Sequence, residues 1–596
     1  MAAIISEKFR IFNAKQFLES LSEGTAGTSD RTRMYFFVGR SSKWDAYIEI
    51  FNISGTFQVG ETVSKDGGGW SGVVAAVYDN SILCTTILPN PTATPGFGSA
   101  LTGGTSSATA KSGIYRYATE EIPPLPLDNQ AEKKDVYDEL IAAKRINDSA
   151  ARLCVPRYNW NIQTNPKFDM YRPNYSPTPG GGGSIGKQTA TGQNSLTTAK
   201  FYVMNSQYEV FKCLYNGESP AHPSGQNATF EPKSQPTAGE GSFDSASGVY
   251  TEPAGTSNGY VWKHLFTLPT GDVLAFLSTD FMPIAAKAET SRAAVEALAV
   301  DGAVHVAVIK DVGLGLPASN DYYAKIDGDG TGGIVKFSTD GNGTITGVSI
   351  QAAGSGYTYG NVILKQGKVF DDAAATNAVG TVAASSTGAI EVVVSPEGGH
   401  GSDADVELFA KRVMTNVRLT YAEGAGDFPV DNDFRRIGII QDPFKYGQAG
   451  TYQDSLTVRG TYVVKLNGAT ADYVADETIT QTVTGGTAKG TVVSWDSTNG
   501  ILKYFQSSNV HTDSGKVYAF ESNAANAVVG YTSTASGTVD TAQTTALADI
   551  TFDASNGGLA YPEIHPNSGD IVYIENRRQI TRAPDQIEDI KLVIEF

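Results

Sequence analysis

Few residues in this chain have the types and spacing that could do chemistry, and each has a plainer reading. Gly181 to Lys187 (GGGSIGK) approximates a phosphate-binding P-loop, and Gly182-Gly183-Ser184-Ile185-Gly186 formally fits the GxSxG of a nucleophile elbow. A P-loop needs a hydrophobic strand before it, Ser or Thr after the Lys, and a helix whose N-terminus faces the phosphate. An elbow needs the same strand-to-helix setting. Here Pro177-Thr178-Pro179 precedes, Gln188 follows the Lys and no helical pattern comes after, so a flexible Gly/Ser loop is expected. Asp327-Gly328-Asp329-Gly330 has some features of a calcium loop, but Ser338 stands where an EF-hand needs its bidentate acid. A β-turn is expected there, with a weak calcium site at Asp327 and Asp329 as the alternative.

His400 with Asp403 and Asp405 could also bind a metal, although such neighbouring loop carboxylates are usually just solvated. His264, within a strand-like run, is expected to serve packing or an interface. Glu120 and Glu121 are adjacent on an extended segment and so point apart. Trp44 could meet a ligand ring but reads as a core aromatic. No catalytic, cofactor-binding or metal-binding residue is assigned, and a non-enzymatic protein is expected.

The elements that would have to position such residues are mostly strands. The 596 residues include 64 Gly and only 18% charged residues, a mixture that favours many short strands joined by tight turns. The net charge of −18 argues against a nucleic-acid groove, which needs a basic stripe. Cys84, Cys154 and Cys213 are odd in number and widely spaced, so neither a disulfide framework nor a zinc site is indicated, and a reducing cytoplasm is the expected folding compartment. The first residues lack a signal-peptide pattern, and no apolar run approaches the ~20 residues of a membrane span, so no membrane insertion is expected.

In order, Asn13 is expected to cap a helix over 14–21, and Met34 to Val38 to form a strand. Asp128 or Asn129 is expected to cap a helix running through Asn147. Strands are expected at 200–204, 208–214, 259–269, 417–421 and 434–440. Asp570 to Glu575 reads as a buried strand, and Ile590, Leu592, Ile594 and Phe596 as one face of another.

Two kinds of repeat interrupt this pattern. Glu61-Thr62-Val63 matches Glu477-Thr478-Ile479, and Gly72 to Asp79 matches Gly490 to Asp496, one residue shorter. This is a small all-β module used twice, at 55–114 and 466–545. In 303–408 the glycine pairs Gly313/Gly315, Gly354/Gly356 and Gly399/Gly401 each follow an alternating strand, which suggests three β units with glycines at positive φ.

Collinear blocks outside these modules resemble the baseplate wedge subunit of contractile-tailed (myovirus-type) bacteriophages. They are Ser6-Glu7-Lys8-Phe9-Arg10 with the following helix and aromatic strand, Val155 to Trp160, Gly259 to Pro269 (GYVWKHLFTLP), Phe434 to Pro443 (FRRIGIIQDP), and Ser568 to Arg577 with the closing strand. The resemblance implies a virion protein, assembled in the host cytoplasm, that links neighbouring wedge proteins and helps hold and rearrange the baseplate during attachment and contraction. It also implies other wedge subunits as partners and homodimerisation, with no cofactor. The expected fold is mainly β: a discontinuous β-sandwich core with a few short helices, formed by 1–54, 115–302, 409–465 and 546–596, plus the three inserts. The alternative is a host-surface or glycan-binding tail protein whose inserted modules carry adhesion.

Overall fold

A computed structural model describes all residues except 1–3, 23–31, 41–45, 79, 91–92, 118–125, 127, 161–165, 176–188, 380–381, 383–386, 421–435, 509 and 578–586. Trp44, Glu120, Glu121 and the Gly181–Lys187 stretch lie outside the described residues. The fold is mainly β, as expected. The chain forms two compact units, both discontinuous: 1–18 with 151–415 and 591–596, and 19–150 with 416–590.

The second unit is organised on Met34–Gly39, buried along its whole length. Such a strand reads MYFFVG because both of its faces meet protein. It lies in a five-stranded sheet ordered Thr457–Arg459, Leu140–Ile146, Met34–Gly39, Arg436–Gln441, Asp570–Asn576. Phe36 faces Lys144 on one side and Ile439 on the other.

Two expectations fail in this sheet. The helix begun at Asn129, whose side chain accepts from Glu132 N at 2.8 Å, ends at Asp138; Leu140–Ile146 is a strand. Its run LIAAKRI is apolar enough for either state, and pairing on both sides decides for the strand. Among the described residues Asp570–Asn576 pairs only with Arg436–Gln441, and as an edge strand leaves Val572 55% and Tyr573 37% exposed.

Two small barrels complete the unit. Barrel 1 closes in the order Ala46–Ser54, Ser81–Leu88, Ser71–Tyr78, Thr62–Lys65, Ala100–Gly103, Thr109–Tyr117. Barrel 2 runs Tyr462–Asn467, Ile501–Phe505, Gly486–Asp496, Thr478–Val483, Val528–Gly530, Ser536–Val539, and the last strand returns to the first. The two orders are identical strand for strand. Each module therefore begins before the composition shift at 55 or 466. Ala46–Ser54 and Tyr462–Asn467 look like core strands in sequence, yet each pairs with two barrel strands and completes the closure.

In the first unit, Glu7–Ser20 is one helix, so Asn13 lies inside it; Ser6 sits before the first turn and its Oγ accepts from Phe9 N at 3.3 Å. A five-stranded sheet is ordered Tyr202–Met204, Glu209–Tyr215, Val261–Thr267, Val249–Thr251, Ser242–Asp244. The GYVW block supplies its central strand. Within 303–408, Val304–Asp311 and Ala389–Val394, the strands before the first and third glycine pairs, are antiparallel partners, matching Val306 with Val393. Asp321–Gly328, Thr331–Thr339 and Ile345–Ser355 form a meander around Phe337, Val335 and Ala324. All six paired glycines do have positive φ.

The final segment packs into this unit. Leu592 is buried, Val593 joins the cluster of Cys154, Phe276 and Met414, and the Phe596 ring lies 5.4 Å from Phe17. Phe596 N donates to Lys411 O at 3.0 Å. Deleting 592–596 should lower the melting temperature of this unit by on the order of 5–10 °C. Calorimetry of the full chain with limited proteolysis checks this; an unchanged transition would refute the closing role.

Candidate functional site

A group of buried ionisable side chains lies in the first unit, where neighbouring strands bring two lysines together. Lys212, fully buried, faces Lys263 across Glu209–Tyr215 and Val261–Thr267. Two buried like charges side by side are unfavourable unless compensated. Lys212 Nζ bonds Glu407 Oε2 and sits 4.6 Å from the centroid of the Tyr171 ring. Glu407 Oε1 in turn accepts from Gly401 N at 2.7 Å. Lys263 Nζ donates to Ser247 O at 2.6 Å, and burial pushes its pKa down to about 8, with Lys212 adding to the effect.

His400 enters the same group. Its ring meets Tyr171 edge-on at 5.2 Å and lies 5.6 Å from His305. Burial holds both histidines neutral, reinforced by the lysines; His305 falls to about 4. Neither Nδ1 has a hydrogen-bond partner among the described residues.

Asp403 and Asp405 are held by cations: Asp405 is buried and Asp403 is 34% exposed. Arg292 grips Asp405 through both guanidinium branches, at 2.8 and 3.1 Å, and Lys15 Nζ lies 2.8 Å from Asp403 and 3.3 Å from Asp405. Asp403 also caps the one-turn helix Ala404–Glu407. Among the described residues no group of three or more His, Cys, Asp or Glu side chains could hold a metal ion. Two carboxylates paired with cations already have their charge neutralised, and a metal would have to displace Arg292 and Lys15.

The other candidates also have structural employment. Asp327 pairs with Lys368 at 3.1 Å, while Asp329, in the turn between Asp321–Gly328 and Thr331–Thr339, accepts from Thr358 N, Thr358 Oγ1 and Tyr359 N in the loop after Ile345–Ser355. His264 packs on Phe211 at 5.1 Å and Phe243 at 6.3 Å, and its Nε2 lies 3.3 Å from Thr267 Oγ1. Burial raises the thiol pKa of Cys154 to about 12 and also raises that of Cys213, which leaves both poor nucleophiles.

The repeated glutamates have a role that the sequence pattern did not disclose. Glu61 Oε1 accepts from Gln58 N and Ser106 Oγ, both at 2.7 Å; its Oε2 accepts from Thr105 N and Ser106 N at 2.9 and 2.8 Å. Glu477 repeats this atom for atom with Val474 N at 2.8 Å, Ser533 Oγ at 2.7 Å, and Thr532 N and Ser533 N at 2.9 and 2.8 Å. The partners come from a second shared motif, Gly103-Gly104-Thr105-Ser106-Ser107-Ala108 and Gly530-Tyr531-Thr532-Ser533-Thr534-Ala535. A Cβ on Gly103 or Gly530 would fall within 2.8 Å of the carboxylate. Each glutamate thus fastens a turn between two barrel strands.

No protein-family model and no curated protein matches this chain.

In the sheet of the second unit, Arg436 Nη2 lies 2.5 Å from Glu132 Oε1, and its Nε donates to Asn576 Oδ1 at 3.2 Å, all three residues buried. Glu139, 3.9 Å from the same guanidinium, is pushed up to about 8 by burial, which Arg436 only partly offsets. Arg436 and Asn576 belong to the blocks FRRIGIIQDP and SGDIVYIENR, and they are joined here by one hydrogen bond.

Three outcomes are expected. Glu61→Ala and Glu477→Ala should each cost about 2–4 kcal/mol, since four donors lose their acceptor; denaturant titration reads this, and neutral effects would refute the fastening role. Both carboxyl pKa values are lowered, so this stabilisation is present above the ordinary carboxylate range and is lost as pH falls through the folded values. The depressed histidines act over a different window. The unfolded chain binds their protons first, so stability declines as pH drops from about 6.5 towards 4. His305→Gln should flatten that slope in pH-dependent melts. Glu407→Gln, which strands Lys212, should cost about 3–5 kcal/mol, and Lys212→Met in the same chain should recover much of it; no recovery would show that Glu407 acts through other partners.

Proposed function

We propose that this chain is a structural component of a contractile phage tail, a baseplate wedge subunit that joins neighbouring wedge proteins and helps hold and rearrange the baseplate. One observation carries the reading. Blocks whose sequence resembles that family, far apart along the chain, occupy adjoining strands: Met34–Gly39, Arg436–Gln441 and Asp570–Asn576 lie side by side. Resemblances that were accidental would have no reason to gather in one sheet or to share the buried Arg436–Asn576 hydrogen bond. A protein of this kind works through large, shape-complementary interfaces with other wedge subunits and with a second copy of itself. It resides in the virion after assembly in the host cytoplasm.

A second reading makes the barrels adhesive modules on this scaffold. It is favoured by an exposed aromatic pair on barrel 1, Phe51 and Phe97, with ring centroids 5.9 Å apart and Phe97 80% exposed. Co-expression of the full chain with the other tail proteins of its own virus separates the readings. Co-purification of a wedge complex is the outcome expected of a subunit, and a monomer that binds none of them would sink that claim. Tails that assemble but no longer adsorb when Phe51 and Phe97 are both changed to Ser would favour adhesion.

A further inference from the structure

Barrel 2 carries a cleft that its closure does not require. The cleft lies between the loop after Tyr462–Asn467 and the turn from Asp496 to Gly500, with a volume of about 470 Å³. This is within the range of sites that take small molecules. Its aromatic wall is Trp495, partly exposed and fixed from two sides. The indole Nε1 donates to Asp472 Oδ1 at 2.9 Å, and the ring meets Tyr473 at a centroid distance of 5.0 Å and an angle of 67°.

The rest of the lining is polar and small. The Asp496 carboxylate accepts from Thr498 N at 3.0 Å, Asn499 N at 3.1 Å and Asn499 Nδ2 at 2.7 Å, which sets the turn before any ligand arrives. Ser497 and Thr498 on that turn are exposed. Opposite them, a Cβ on Gly468 would meet nothing within 4 Å, so the space there is open. Lys465 Nζ donates to Leu466 O and Asn467 Oδ1, each at 3.1 Å, and lies 3.9 Å from Asp540, which compensates its charge.

A braced indole beside hydroxyl, amide and carboxylate groups suits a ligand with an apolar face and a polar edge. Pyranose rings have that form: their C–H faces stack on aromatics, and their hydroxyls pair with Asn and Asp. The compensated lysine and the nearby carboxylate disfavour an anionic polymer. We propose that this cleft binds a neutral oligosaccharide, with Trp495 as the stacking surface and Asp472, Asn467 and Asn499 as hydroxyl partners. The proposal rests on the adhesive reading of the barrels, and it can fail separately from the wedge reading because binding is measured on the purified protein whether or not tails assemble.

The test applies the full chain to a glycan array carrying neutral and anionic oligosaccharides, followed by saturation-transfer NMR on the sugars retained. At least one neutral oligosaccharide should be retained. Its affinity should fall tenfold or more in Trp495→Ala and in Ser497→Arg, which fills the cleft from an exposed position. If Trp495→Ala fails to fold, Ser497→Arg decides alone. Retention of no neutral sugar, retention of anionic sugars only, or undiminished binding by Ser497→Arg would each overturn the proposal.

Discussion

A strand buried on both faces and paired on both edges cannot be satisfied by its neighbours in sequence. Met34–Gly39 is such a strand, and the second unit follows from completing it. Its hydrogen-bonding groups must be matched by Leu140–Ile146 and Arg436–Gln441, because an orphaned buried amide costs as much as several good contacts gain. The chain between those strands is free to vary so long as it returns. Barrel 1 lies between Met34–Gly39 and Leu140–Ile146, residues 151–415 between Leu140–Ile146 and Arg436–Gln441, and barrel 2 between Thr457–Arg459 and Asp570–Asn576. The fold is therefore discontinuous for a reason of hydrogen-bond accounting, with apolar burial as the accompanying driving force.

Charges inside both units follow a related rule. Lys212 with Glu407, Arg292 with Asp405, and Arg436 with Glu132 are each buried and each tie segments remote in sequence. Pairs of this kind add little net stability over apolar replacements, but removing one member leaves a stranded charge. Each pair therefore joins two distant segments at a place where neither charge can be left alone. The neutral histidines beside Lys212 and Lys263 extend the same logic, since a third and fourth positive charge there would have no counter-ion.

Much of this was legible in the sequence, and the exceptions have identifiable causes. Period-two runs and turn residues mark strands such as Met34–Gly39, Glu209–Tyr215, Val261–Thr267 and Arg436–Gln441, and the Glu-Thr repeat marks both barrels. The run LIAAKRI reads as a continuation of the helix because its apolar residues fit both periods, and only pairing with Met34–Gly39 settles the matter. DIVYIE reads as buried, yet its place at a sheet edge depends on what the rest of the chain leaves uncovered. The second half of the repeat, GGTSSA against GYTSTA, is masked in the sequence because intervening residues shift its spacing between the copies. The fate of Asp403 and Asp405 was beyond sequence reasoning: Lys15 and Arg292, distant in the chain, decide it.

The closure of barrel 1 has one more result. Its first and last strands are partners, and Ala46 lies directly opposite Tyr117 in the ladder. Residues opposed in an antiparallel pair have Cα atoms only about 5 Å apart. To the sheet that hosts it, the whole barrel therefore behaves like a hairpin loop, because the entropy of joining the flanking strands depends on the gap to be bridged and hardly on the folded mass beyond it. In barrel 2 the last strand meets the far end of the first, Leu466 opposite Val539, and Leu559–Ala560 then pairs back onto Val463 and Val464 before the chain returns to the sheet. A module built this way can be gained, lost or exchanged as a cassette while the host sheet keeps its register.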